Sequence, residues 1–192
     1  MAKKLKIMAL GGLDEIGKNL YVYEYGRDIL VVDCGMGFPD EDMYGIDVVI
    51  PDVSYLVENK ERVRGMILTH GHEDHIGAVP YVMQQISCPI YATRLTAGLV
   101  GLKLQEHGLA DKVKVVTLSA GDRVKCGCFD CELVHVNHSI ADSVAVGIAK
   151  ALRIDLIGGF ALPPLPLHRS FLPFFATTPH RRGGSYAVFS VR

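Results

Sequence analysis

The run His70-Gly71-His72-Glu73-Asp74-His75 limits what this chain can be more than any other short segment. It follows Met66-Ile67-Leu68-Thr69, which reads as a buried strand, and precedes a helical pattern from Ile76 to Gln85. Alternate residues just past a strand end point the same way, so His70 and His72 can reach one ion. Asp74 and His75 come next, at the helix start, where side chains face an open cleft. Four ligand-type side chains this close crowd a single tetrahedral ion. They suit two adjacent ions about 3.5–4 Å apart, which share a hydroxide as nucleophile for metal-assisted hydrolysis. A metal-free, His-rich loop is the plain alternative, but ordinary loops seldom carry this spacing behind an apolar strand. The first ion needs a third protein ligand and an open position. His135 and His138 both follow the strand ending near Val136, and the loop setting of His138 suits a ligand better.

The surrounding pattern alternates strands and helices up to about residue 148. Strands are expected at Lys4–Ala9, Asn19–Tyr25, Ile29–Asp33, Gly65–Thr69, Pro89–Ala92, Val113–Leu118, Phe129–Val136 and Ser143–Ile148. Helices are expected at Val53–Lys60, Ile76–Gln85 and Arg94–His107, the last capped by Thr93 and stopped by Gly108. Hairpins mixed with helical crossovers imply a layered α/β fold with a mixed sheet. After Gly147 the character changes. Pro163, Pro164, Pro166, Pro173 and Pro179 lie among Phe171, Phe174 and Phe175, and neither strand nor helix period survives. The division expected is residues 1–148 as the folded unit and 149–192 as a Pro- and Arg-rich tail, either disordered or the product of a reading-frame change.

Charge matters for the choice of partner. Residues 1–150 carry 15 Lys and Arg against 20 Asp and Glu, whereas the segment after them carries five Arg and one acid, Asp155. The first part therefore lacks the basic footprint of a large nucleic-acid surface. Five cysteines, no apolar run of membrane-spanning length and no secretory pattern lead to the expectation of a soluble, cytoplasmic protein with reduced thiols. Cys126-Gly127-Cys128-Phe129-Asp130-Cys131 is not a standard zinc spacing and fits a buried strand. Tyr21, Tyr23 and Tyr25 share one strand face, which favours packing over base stacking. Gly11-Gly12 and Gly17 lack the Lys-Ser ending of a phosphate loop and read as a tight turn. His168 and His180 lie in the tail and receive no role.

The run His70–His75 has the HxHxDH form of the metallo-β-lactamase superfamily. Gly11-Gly12-Leu13-Asp14-Glu15-Ile16-Gly17-Lys18-Asn19 resembles the N-terminal signature of the ribonuclease J family. So do Val32–Pro39, Asp47–Asp52 and His138-Ser139-Ile140-Ala141-Asp142-Ser143, and the resemblance covers about residues 4–146. It implies a metallo-β-lactamase-type layered αβ/βα fold, incomplete and limited to its N-terminal half, with an irregular C-terminal tail. It also implies hydrolysis of RNA from the 5′ end and internally by a metal-bound hydroxide. Two Zn2+ ions would be the cofactor, RNA the partner, no membrane would be involved, and complete members would self-associate. By the same resemblance His70, His72 and His138 would hold one ion. Asp74 and His75 would be catalytic and ligate the other. Asp33 would lie beside the metals, and Ser139 and Asp142 would shape the His138 loop. Asp40-Glu41-Asp42 lies where some members bind a further cation, although a solvated loop is the plainer reading.

The departures from that family are equally specific. Where its members carry a bridging aspartate, this chain reads Gly158-Gly159-Phe160-Ala161, and the last metal histidine and the inserted and C-terminal domains have no counterpart. A second position with two protein ligands should bind an ion weakly. One well-formed Zn2+ site and little or no RNA hydrolysis are therefore expected, together with apolar surface exposed on a half-complete sheet. A hydrolase for a thioester, lactone or β-lactam, and a metal-binding fragment without activity, are the competing readings.

Overall fold

Alternation along the central strands decides the layering. The computed structural model describes residues 4–150, 153–157 and 187–191, with side chains described for residues 4–149. Its strands are β1 (Leu5–Gly11), β2 (Leu20–Tyr25), β3 (Asp28–Val32), β4 (Val63–Ile67), β5 (Ile90–Thr93) and β6 (Val115–Leu118). They continue with β7 (Arg123–Cys126), β8 (Phe129–His135), β9 (Val144–Lys150), β10 (Arg153–Ile157) and β11 (Ala187–Val191). Its helices are α1 (Ser54–Glu58), α2 (Glu73–Ile76), α3 (Val79–Val82) and α4 (Arg94–Glu106), with a 3-10 turn at Lys60–Arg62.

Among the described residues the strands form two sheets, one ordered β11-β1-β2-β3-β4-β5-β6 and the other β10-β9-β8-β7. The first is mixed: β1, β2 and β3 run antiparallel, and β3 to β6 run parallel. The second is antiparallel throughout. Side chains of β3 and β4 divide between two apolar layers, as a period of two requires. Ile29, Val31, Met66 and Leu68 face the helices and pack with Leu56, Val79, Val82, Val100 and Leu104. Leu30, Val32 and Ile67 face the second sheet and pack with Phe129, Cys131, Val146 and Ile148. Tyr23 is buried in this inter-sheet layer and Tyr21 and Tyr25 pack against it, so the tyrosine face is core. Cys126 and Cys131 lie in the same layer, and the cysteines are free thiols.

Several expectations need correction. The helical pattern from Ile76 to Gln85 is broken into α2 and α3. The Ala78 N–H turns aside to Cys34 O, and Pro80 opens the first turn of α3, where a missing N–H costs nothing. Thr93 makes no side-chain cap on α4. Asp142 Oδ2 accepts the Leu95 N–H instead, while the Thr93 hydroxyl donates to Asp142 O. β7 went unread because its alternation spans only four residues beside the Cys-rich turn. The segment after residue 148 contributes β10 and β11, which pair with β9 and β1, although no strand was expected there. Residues 158–186, with the prolines, His168 and His180, lie outside the described residues. The large exposed apolar side chains are mostly in loops, Ile16, Phe38 and Tyr44 most of all, and Val134 is the one on a strand among the described side chains. No helix among the described residues is long and apolar enough to cross a membrane.

The inter-sheet layer can be tested by truncation. Phe129 is fully buried there. Phe129→Ala should cost about 3–5 kcal/mol, read as a lower midpoint in denaturant unfolding.

Candidate metal centre

The site forms where the ends of β3 and β4 meet the β8–β9 connection. Parallel strands place their C-terminal ends together, so Asp33 after β3 lies beside the segment Leu68–His72 after β4. The Asp33 N–H donates to Ile67 O at 2.9 Å, and the Val144 N–H donates to Thr69 O at 3.0 Å, which ties the second sheet to the same point. The carbonyls of α2 are laced to the segment after β3 and to the residue before β2. Cys34 N–H donates to His75 O, Met36 N–H to Glu73 O, and Asn19 N–H to Asp74 O, at 2.8, 3.0 and 3.1 Å. This closeness demands glycine at position 35, where an added Cβ would fall 1.6 Å from Asp74 O.

Three histidines converge. Ligand atoms of His70, His72 and His138 all lie within 4.8 Å of one another. His70 Nε2 and His138 Nε2 are 3.0 Å apart. In a tetrahedral zinc site with Zn–N of 2.0–2.1 Å, neighbouring donors stand about 3.3 Å apart. The set therefore fits one such ion with an open fourth position. His138 arrives on the β8–β9 loop, whereas His135 is exposed at the end of β8 and does not join the group. Of the two residues expected to shape this loop, Asp142 does so through α4 and adopts a left-handed φ of 62°. Ser139 is exposed and makes no hydrogen bond among the described residues; the tie is Ser143 Oγ donating to Ile140 O at 2.8 Å.

Asp33 orders the histidines from below. It is buried, and its Oδ1 accepts the Thr69 N–H at 2.8 Å. The Thr69 hydroxyl lies 3.0 and 2.9 Å from the two carboxylate oxygens and 2.9 Å from His70 Nδ1. A carboxylate cannot donate, so the hydroxyl proton goes to Asp33 and His70 Nδ1–H donates to the hydroxyl. That leaves the His70 Nε2 lone pair facing the cluster. His75 Nδ1 donates to Asp33 Oδ2 at 2.7 Å, which frees its Nε2 likewise. Burial, then the neighbouring histidines, push the His70 pKa down to about 3, so its ring is neutral and available to a metal at ordinary pH. Burial and the nearby His72 and His75 also lower His138. For His75 burial pulls downward, but the Asp33 hydrogen bond and the charges of Asp33 and Asp74 outweigh it, and its pKa is raised.

Asp74 and His75 form a second, adjoining group. His75 Nε2 and Asp74 Oδ2 are 3.4 Å apart, and Asn19 Nδ2 lies 3.3 Å from each. His70 and His75 rings are stacked obliquely with centroids 4.0 Å apart, so the two groups adjoin. Asn19 and Thr69 were not singled out by sequence. Their signals were position alone, one closing the Gly11–Asn19 run and one preceding His70.

Comparison with known proteins places this geometry in context. Residues 13–146 match the model of the metallo-beta-lactamase superfamily. The chain is similar to ribonuclease J of Synechocystis sp., 44% identical over 189 residues that cover 97% of this chain and 30% of that protein. It is also similar to ribonuclease J of Helicobacter pylori strain 26695, 43% identical over 167 residues, covering 85% and 24%. The chain thus spans less than a third of the length of these curated relatives, and the Synechocystis alignment runs on past the residue 146 where the family model stops. Among solved structures, Zn(2+)-bound PqqB of Methylobacterium extorquens superposes with a TM-score of 0.58 at 11% identity, covering 79% of this chain and 64% of that one. Human tRNase Z, short form, gives 0.54 at 14% identity, covering 80% and 68%. These two likenesses concern the fold alone.

If Asp33 sets the tautomers of His70 and His75, Asp33→Asn should keep the fold and weaken Zn2+ binding by roughly 10–100-fold. Asparagine tolerates the left-handed backbone of this position, where φ is 61°, so circular dichroism should be unchanged while competition with a zinc chelator reports the loss.

Proposed function

We propose, from the premise that the chain belongs to the metallo-beta-lactamase superfamily, that it is the N-terminal catalytic portion of a ribonuclease J-type metal-dependent ribonuclease, with low RNA hydrolysis by itself. The observation that carries the reading is the convergence of His70, His72 and His138 within 4.8 Å, in a chain 44% identical to a ribonuclease J. These three histidines hold one Zn2+ and leave a position open. When bound, the ion supplies a Lewis acid for a phosphoryl oxygen and lowers the pKa of water.

The protein's own residues do the rest. Thr69 carries the orienting effect of Asp33 to His70 through a 2.9 Å contact, so the first ligand does not turn during turnover. Asp142 holds the His138 loop against α4. Asp74 and His75 complete the reacting centre from the second position, where two charged or chargeable donors face the same opening. With 20 acidic against 15 basic residues in residues 1–150, contact with RNA rests on the metal centre rather than on a basic face. Affinity for RNA is therefore low and only weakly salt dependent.

A test uses the full chain loaded with Zn2+ and a 5′-monophosphorylated oligoribonucleotide labelled at its 3′ end. The expected result is about one tightly bound zinc per chain by elemental analysis, with slow cleavage that chelation and His138→Ala both abolish. Two tightly bound zinc ions with fast RNA decay would sink the low-activity part of the reading. Thioester or lactone cleavage with intact RNA would move the chain to another hydrolase of the superfamily. The substrate arm and the metal arm thus fail separately.

A further inference from the structure

We infer, resting on the reading that the chain acts on RNA, that the cavity between Arg94 and His135 holds a backbone phosphodiester of the RNA other than the one cut, with Asp142 receiving a ribose hydroxyl. The cavity has a volume of about 220 Å3, and Thr93, Arg94, Ser119, His135, Asp142 and Val144 are among the residues that line it. That is below the ~300–1,000 Å3 of pockets for whole drug-sized ligands, and it suits a single sugar–phosphate unit.

The place of the cavity in the fold sets it along one path with the metal centre. β4, β5 and β6 run parallel, so their C-terminal ends share one edge of the sheet. Ligands of parallel sheets collect outside that edge. His70 and His72 follow the end of β4, whereas Arg94 and Ser119 follow the ends of β5 and β6, where Thr93 is paired with Leu118. Neighbouring strands lie about 4.8 Å apart, so the cavity begins roughly 5–10 Å along the edge from the histidines. The two places also share a wall. The β8–β9 connection carries His138 into the metal cluster and lines the cavity with Asp142 and Ser143. Val144, also in the lining, donates its N–H to Thr69 O at 3.0 Å, beside His70.

The side chains there are available to a ligand. Those of Arg94 and His135 are exposed and make no hydrogen bond or ion pair among the described residues. A guanidinium holds phosphate oxygens with two parallel donors. An imidazole offers at least one N–H donor in either charge state, and Ser119 adds a hydroxyl. Asp142 would repel a lone anion, and it thereby selects the ligand. Its Oδ2 accepts the Leu95 N–H at 3.2 Å, and its Oδ1 has no partner among the described residues. A ribose 2′-hydroxyl can donate to that oxygen, which a free phosphate ion or a deoxyribose cannot do. Residues 1–150 are acidic on balance, so a built contact of this kind has to hold the strand where no broad basic surface does.

The experiment measures binding of a fluorescent single-stranded oligoribonucleotide to the full chain loaded with Zn2+, by anisotropy over a range of salt and before cleavage is appreciable. Each phosphate neutralised on a single strand adds about −0.7 to the slope of log K against log salt. Arg94→Gln should raise the dissociation constant roughly three- to tenfold and flatten that slope by about 0.7, with zinc content unchanged. Arg94→Lys keeps the charge and should keep the slope. Ser119→Asp, which adds a carboxylate to the lining, should also weaken binding. Lys112→Gln, before β6 at the opposite edge of the sheet, should leave it unchanged. A DNA strand of the same sequence should bind more weakly than the RNA, and equal binding removes the Asp142 contact. An unaltered constant and slope in Arg94→Gln, or an equal loss in Lys112→Gln, overturns the subsite. If Arg94→Gln does not fold, unaltered binding in Ser119→Asp overturns it equally. Absence of RNA binding by the wild type overturns it even if slow cleavage persists. Binding that follows the expected pattern without any cleavage supports the subsite and sinks the catalytic reading instead.

Discussion

The buried carboxylate of Asp33 is the interaction on which the remaining geometry depends. It leaves β3 in a left-handed conformation and accepts from the Thr69 backbone, the Thr69 hydroxyl and His75 Nδ1. Each of these donors belongs to a different part of the centre: the end of β4, the relay to His70, and the α2 ligand pair. A carboxylate at 1% exposure is costly to bury unless every lone pair is answered, and here the answers are the site itself. The same contacts that make the burial of Asp33 tolerable therefore fix which nitrogen of His70 and His75 is bare. Order in the ligands and satisfaction of the buried charge are one requirement.

The layering then brings the third histidine. His70 and His72 leave the first sheet, and His138 leaves the second. They meet because the inter-sheet layer holds Phe129 and Val146 against Leu30, Val32 and Ile67. The Val144 N–H bond to Thr69 O fixes the height at which the second sheet meets the first. A shift of the β8–β9 register by one residue would turn His138 and Ser143 away and expose the apolar face of β9. The three-histidine cluster is thus a property of the sandwich, with neither sheet supplying it alone.

Much of this was legible beforehand. The strand–loop–helix pattern around His70–His75 and the loop setting of His138 single out the three histidines whose ligand atoms lie within 4.8 Å of one another, and His135 is not among them. The period-two spacing of the tyrosine face and of the cysteine strand points to a packed sheet, and both lie in the inter-sheet layer. What was missed depended on contacts between distant segments. Thr69 looks like any strand residue until Asp33, 36 positions away, is placed beneath it. Asn19 is 55 positions from Asp74 and carries no local pattern of a ligand. The helix from Ile76 to Gln85 broke because Ala78 finds a partner in Cys34, a long-range competitor that periodicity does not see. The two strands after residue 150 went unread because the surrounding proline-rich composition outweighed five-residue runs.

The asymmetry between the three-histidine cluster and the adjoining Asp74–His75 pair follows from where these residues lie along the chain. His70, His72 and His138 all fall within the described two-sheet core, and their environment keeps at least His70 and His138 neutral, as a metal requires. Asp74 and His75 share one short helix. Burial lowers the His75 pKa, but the Asp33 hydrogen bond and the charges of Asp33 and Asp74 raise it on balance. Among the described residues the loop ending at Asn19 closes on this pair, its amide nitrogen 3.3 Å from Asp74 Oδ2 and from His75 Nε2. That loop is held by the bonds of Asn19 to Asp74 and Gly35 and of Lys18 N–H to Met36 O at 3.0 Å. The Gly11–Asn19 loop is therefore part of the frame that fixes where the α2 pair sits.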